Sequence, residues 1–209
     1  MQTSILTWIA YRRMMAPMRR SWLLLLPLLF LSGCGPTTSG TASCDREYYD
    51  DVEKITVCVP SGWSVIDRET LRQRGVPDDT LVALQADEAV SGHFPTVTVT
   101  RELLSQPATP EAYSDASIRS VSVLPGYTLI ESPAMQLDGT NVRLHVFTAQ
   151  PVADEPIRRF YQVSTVVKEK GYSVTATTPV SVADALEKQV TFILENVRFG
   201  AQEVPASAE

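Results

Sequence analysis

Residues 134–149 read AMQLDGTNVRLHVFTA: a strand, a two-residue turn and a second strand. Asp138 and Gly139 make the turn, because both central positions of a type I′ turn need positive φ and this pair tolerates it. Ala134 to Leu137 enters it. Thr140 to Ala149 leaves it as one strand in which Val142, Leu144 and Val146 alternate with Arg143, His145 and Phe147. The alternation predicts one buried and one solvated face, with His145 on the solvated one.

The same period continues on both sides. Downstream, Arg158 to Val167 carries Tyr161, Val163, Thr165 and Val167 on its apolar face, and Glu169, Lys170 and Gly171 turn it back into Tyr172, Val174 and Ala176. Upstream, Thr96 to Thr100 reads TVTVT, valines toward a core and threonines away from it. Leu81 to Gln85 and Tyr127 to Glu131 are further strands. The connections are short, so the sheet is antiparallel.

Two helices interrupt this pattern. Thr109 before Pro110 and Glu111 starts one, since proline lacks an amide that would be orphaned there and threonine accepts from the first turn. It runs to about Val121 and carries mostly small residues. The other opens at Ser181 to Asp184, a capping-box spacing, and extends to about Val197 with Val182, Leu186, Val190, Ile193, Leu194 and Val197 as its stripe. At the front, Ile55 to Val59 is a strand closed by Pro60, Ser61 and Gly62, with Trp63 to Asp67 as its hairpin return. Arg68 to Asp79 is a loop with room for one helical turn.

Ahead of all this stands an export signal. Arg12, Arg13, Arg19 and Arg20 precede an apolar run from Trp22 to Leu31, then Ser32, Gly33 and Cys34. The 12 residues from Trp22 to Gly33 fall short of the ~20 that a spanning helix needs. Small residues before a cysteine resemble the bacterial lipobox. That resemblance implies cleavage after residue 33, a thioether-linked diacylglycerol on Cys34, and anchorage by two or more acyl chains at about 0.8 kcal/mol per buried methylene. Met14, Met15 and Met18 are alternative starts, which leaves residues 1–17 outside the compact signal. The layout is then signal 1–33, lipidated acidic tether 34–53, folded domain 54–199 and frayed tail 200–209.

Four arginines leave with the signal and no acid does, so 18 Lys and Arg fall to 14 against 24 Asp and Glu, a net charge of −10. Nucleic acid and anionic headgroups are disfavoured as partners, because both need a basic surface. Asp45, Glu47, Asp50, Asp51 and Glu53 lack the spacing and glycine turn of a calcium loop, so a solvated acidic face is expected. With Cys34 consumed by lipid, Cys44 and Cys58 remain in a compartment that permits oxidation. A bridge closing about 15 residues would contribute roughly 3 kcal/mol. The alternative is a buried thiol at Cys58 and an unpaired Cys44.

An opening strand ending in Pro60, Ser61, Gly62 and Trp63, a mid-chain helix, a meander around Asp138 and Gly139, and a long closing helix together resemble the PsbP-like (Mog1/PsbP) fold over Lys54 to Phe199. The resemblance implies an α+β domain, a central antiparallel sheet with helices packed on its faces as an α/β/α sandwich. It also implies an accessory or binding role without a shared catalytic residue.

The residues themselves offer little chemistry. There is no Gly-x-Ser-x-Gly elbow, no phosphate-cradling glycine loop and no cofactor motif. His93 and His145 are the only histidines and stand far apart in sequence. A metal site would need partners that they lack, and His93 is left as a candidate general base. Trp63, Tyr161 and Tyr172 read as core anchors rather than stacking platforms. Arg158 and Arg159 point to opposite faces of a strand and read as solvated. The expectation is a lipid-anchored, non-enzymatic binding protein that joins an envelope complex or carries a small apolar ligand. The alternative is an envelope hydrolase using carboxylates or His93.

Overall fold

A computed structural model describes residues 42–200. Residues 1–41, with the signal and Cys34, and residues 201–209 lie outside the described residues. The meander forms as the period-2 pattern dictates. β3 (Trp63–Ile66), β4 (Thr80–Ala86), β5 (Thr96–Leu103), β6 (Thr128–Glu131), β9 (His145–Ala149), β10 (Arg158–Val167) and β11 (Lys170–Pro179) make a seven-stranded sheet. Its order is β3-β4-β5-β11-β10-β9-β6, antiparallel at every pairing.

The register lines up the apolar rows. Val82, Val99, Val174 and Val163 stand opposite one another across four strands, and Leu84, Val97, Ala176, Tyr161 and Val146 form the next row on that face. Every one of these side chains is buried. Over them lies α3 (Asp184–Glu195), whose Val190, Ile193 and Leu194 are 0% exposed. Burying each such side chain contributes about 1.5–3 kcal/mol. A second sheet of β1 (Arg46–Asp50), β2 (Ile55–Val59) and β12 (Val197–Phe199), together with the hairpin of β7 (Ala134–Leu137) and β8 (Thr140–Arg143), completes this core. α2 (Pro110–Val121), capped by Thr109 Oγ1 accepting from the Ala112 amide, covers the opposite face, and a short α1 (Arg68–Gln73) follows β3. Helices on both faces of an antiparallel sheet make the α/β/α arrangement expected from the sequence.

Several local expectations change. The acidic tether is not free up to residue 53: β1 pairs along its whole length with β2. Cys44 and Cys58 form a disulfide with a Cα–Cα distance of 5.4 Å, which brings β1 alongside β2. The acidic run is only partly solvated. Asp50 accepts from the Val52 and Glu53 amides at 2.9 Å and meets Arg68 at 3.3 Å. The Glu53 side chain is 5% exposed and binds Arg101 and, at 3.1 Å, Lys170. Buried carboxylates persist where cations and amides surround them.

Pro60 to Gly62 does not fold β3 back on β2; it carries the chain from one sheet into the other. The strand read as Thr140 to Ala149 breaks at Leu144, whose amide bonds Pro133 O, because its first half pairs with β7 and its second with β10 and β6. Lys168 and Glu169, both at positive φ, make the β10–β11 turn one residue earlier than expected. Ser181 does not cap α3: the helix begins after Ala183 with no side-chain cap, and Val197 belongs to β12.

Candidate functional site

Successive strand residues point to opposite faces, so the positions between the valines define the other side of the sheet. There Ala83, Thr98, Thr175, Gln162 and His145 form one row, and Thr100, Ser173 and Ser164 the next. A sheet face turned to water ordinarily carries Lys and Glu. These rows carry hydroxyls, an amide and an imidazole, and α2 lies across them. Ser164 Oγ donates to Ser117 Oγ of α2 at 2.9 Å and shares a 2.8 Å bond with Ser173 Oγ. Small residues on α2 permit that approach: Ser114 is buried, and Ala116, Ser117 and Ser120 line the space beneath.

The space is a cleft of about 760 Å³. Thr100, Gln162, Ser173 and Thr175 form its floor and Tyr113, Ser117 and Ser120 its helical wall, with Asp79, Arg101 and Glu102 at the β5 end. Thr98 and Thr100 spend their hydroxyl protons on Thr175 O and Ser173 O, both at 3.3 Å. Gln162 differs. It is 9% exposed, and its Oε1 is buried without a hydrogen-bond partner. A buried, unsatisfied amide costs about 1–3 kcal/mol.

Tyr113 closes one side of the cleft. Its ring lies against Gly171 of β11, where a Cβ would overlap the phenol, and its hydroxyl donates to Glu102 at 3.1 Å. Burial first, and then the nearby Glu102 carboxylate, push its pKa up to about 12. The phenol therefore stays protonated and serves as a donor.

At the other end of the same face the lining turns aromatic. Tyr127, His145, Phe147 and Phe160 stack or tilt against one another with centroids 5.1–6.0 Å apart. His145 is 2% exposed, contrary to the solvated position expected from alternation. Its Nε2 meets Tyr127 Oη at 2.9 Å, and burial, then Arg143, hold its pKa below the ordinary imidazole value. The strand does alternate as expected, but this face is covered.

His93 lies in the β4–β5 connection, with Nδ1 3.4 Å from Arg158 Nη2. Arg158 also binds Glu155 at 3.2 Å, and Arg159, on the opposite face, meets Glu187 at 3.7 Å. Thr96 and Glu102 stand six residues apart on β5, about 20 Å at ~3.3 Å per residue, and His93 precedes Thr96 at the far end, so the histidine does not join the cleft carboxylates. Trp63, Tyr161 and Tyr172 are core residues; Trp63 Nε1 donates to Gln189 at 3.1 Å. Among the described residues no group of three or more His, Cys, Asp or Glu could hold a metal ion. The cleft residues themselves were not singled out from sequence. The available signal was that three strands carry Thr98 and Thr100, Thr175 and Ser173, and Gln162 and Ser164 at aligned alternate positions.

No family model matches the sequence, and no curated protein matches it. Solved structures do. The cyanobacterial PsbP (CyanoP) of Synechocystis sp. PCC 6803 superposes with a TM-score of 0.51 at 13% identity, covering 81% of this chain and 99% of that one. The domain has a PsbP-like fold. LpqN of Mycobacterium tuberculosis, a protein involved in cell envelope biogenesis, matches it with the same TM-score and identity over 69% of this chain and 82% of its own. At such identities the PsbP-like likeness extends to architecture and not to side chains. No helix among the described residues is long and apolar enough to cross a membrane.

Proposed function

We propose that this protein is a lipid-anchored, extracytoplasmic accessory protein of the cell envelope that binds a small hydrogen-bonding ligand between α2 and the sheet. The observation that carries it is the cleft itself, whose lining of Thr100, Gln162, Ser173, Thr175, Tyr113, Ser117 and Ser120, with Asp79, Arg101 and Glu102 at one end, is mostly polar. A polar ligand fits that lining better than the small apolar one expected above, because an apolar group would desolvate its hydroxyls and charged groups without pairing them. The anchor rests on the lipobox at Leu31 to Cys34, and the envelope setting is supported by the likeness to LpqN. The separation of His93 from Asp79 and Glu102 favours binding over hydrolysis, since acid–base catalysis needs its groups within hydrogen-bond reach of one reacting atom.

The test is native mass spectrometry of the protein released from its own membranes. Wild type should carry a polar adduct that Gln162→Leu and Ser173→Val both lose while remaining folded. Identical spectra for wild type and both variants would reject the cleft as a binding site. In a deletion strain with an envelope phenotype, His93→Ala should complement fully. His145→Ala does not serve this purpose, because it empties a buried position.

A further inference from the structure

Five of the large apolar side chains that the domain exposes gather at one end of the seven-stranded sheet. Phe94 is 48% exposed, Val123 81%, Val152 52%, Ile157 47% and Val180 41%. They lie on four connections, and the registers place all four at the same end. Thr96 pairs with both Gln85 and Thr177; Arg158 pairs with both Pro179 and Ala149; Thr128 pairs with Thr148. The connections also touch, through Gln150 N to Pro125 O at 2.7 Å and His93 Nδ1 to Arg158 at 3.4 Å. Neighbouring strands are spaced about 4.8 Å apart, so the strip from β5 to β6 is roughly 19 Å wide.

The chain enters the domain at this same end. β1 begins at Arg46, which pairs with Val59 and donates to Trp63 O at 3.3 Å, and the disulfide holds Cys44 to Cys58 beside it. Ten positions separate Cys44 from Cys34. Ten peptide units reach at most about 36 Å. The opposite end, where Glu53 meets Arg101 and Lys170, is farther away by the ~33 Å length of β10.

We infer that this end faces the membrane, and that Phe94, Val123, Val152, Ile157 and Val180 rest in the headgroup layer of the bilayer carrying the anchor. The inference rests on the proposed anchor at Cys34. The charge of the four connections selects the lipid: they hold Asp87, Glu88, Asp154 and Glu155, and Arg158 and Arg46, the cations bordering them, leave the balance acidic, so zwitterionic headgroups are accepted over anionic ones. A strip this small does not hold a soluble protein on a vesicle. The tether supplies the deficit by raising the local concentration of the surface to about the millimolar range. Docked this way, the β5 end of the α2 cleft, with Arg101 and Glu102, points away from the bilayer.

The experiment couples the mature chain, 34–209, through its one unbridged thiol, Cys34, to a maleimide lipid in phosphatidylcholine vesicles. A fluorescent residue is placed at position 123 or 157 and, as controls, at the exposed positions 52 or 103 at the far end. Doxyl-labelled lipids should quench 123 and 157 several-fold more than 52 and 103. Adding phosphatidylglycerol should reduce the difference, and uncoupled protein should show none. Equal quenching at both ends overturns the inference, as does a blue-shifted but unquenched probe at 123, which reports contact with a second copy instead. The chemical tether replaces the natural one, so this result is separate from fatty-acid labelling of Cys34 in cells, which tests the anchor itself.

Discussion

Gly171→Ala should destabilise the domain although the substitution normally helps a strand. Gly171 has no positive φ to protect; what it protects is the space taken by the Tyr113 ring, whose Cε2 and Oη lie 2.5 and 2.6 Å from where a Cβ would stand. Ordinary contact needs ~3.5 Å or more, so the phenol must swing by about 1 Å. Overpacking costs roughly 1–3 kcal/mol, and the lower end applies because the far end of a ring can yield. The swing also forfeits the hydroxyl bond to Glu102, about 0.5–1 kcal/mol for a partly exposed pair. Against this, alanine gains about 0.5–1 kcal/mol by restricting the unfolded chain. The net loss is about 1 kcal/mol. In a Tyr113→Ala background the overlap is gone and the same change should stabilise by about 0.5–1 kcal/mol, an inversion of sign with a coupling energy near 2 kcal/mol. Urea denaturation of the four proteins reads it directly, provided the m-value stays constant. Equal effects of Gly171→Ala in both backgrounds would refute the packing of α2 on β11 through this ring.

Cells supplied with a labelled fatty acid should label wild type and not Cys34→Ala; equal labelling rejects the lipobox. Exported protein should be two protons lighter before reduction, and Cys44→Ala with Cys58→Ala should lower stability by about 3 kcal/mol or less, with β1 the first segment to exchange its amides. Because burial lowers the pKa of His145 in the folded protein, the unfolded chain takes up its proton first as pH falls. Stability attributable to this residue is complete above about pH 6.5 and declines between there and the lower folded value, at no more than ~1.4 kcal/mol per pH unit. Urea midpoints at pH 7.5 and about 5.5 should therefore differ more for wild type than for His145→Asn, and parallel shifts would exclude the buried imidazole as the cause. Glu53→Gln should cost about 1–3 kcal/mol, discounted because Arg68, Arg101 and Lys170 retain some solvent; high salt should narrow the gap.

The sequence alone determined what depends on neighbours along the chain. Asp138-Gly139 made its hairpin, Thr109-Pro110 started α2, and alternation separated Val97 and Val99 from the threonines between them. These are properties of a few consecutive dihedrals and of a period, and no distant residue is needed to state them. Pairing partners were another matter. Residues 46–50 look like a charged leader until β2 and the disulfide lie alongside, and Thr140 to Ala149 looks continuous until two different sheets claim its halves. Periodicity also reports that a strand has two faces without reporting what covers each. His145 and Gln162 were therefore legible as the polar side of their strands, while their burial beneath the aromatic cluster and α2 was decided only when the strands came together. The candidate cleft belongs wholly to that second kind of information: it is a row of single residues from β5, β11 and β10, aligned by register and roofed by a helix whose small side chains leave room beneath it.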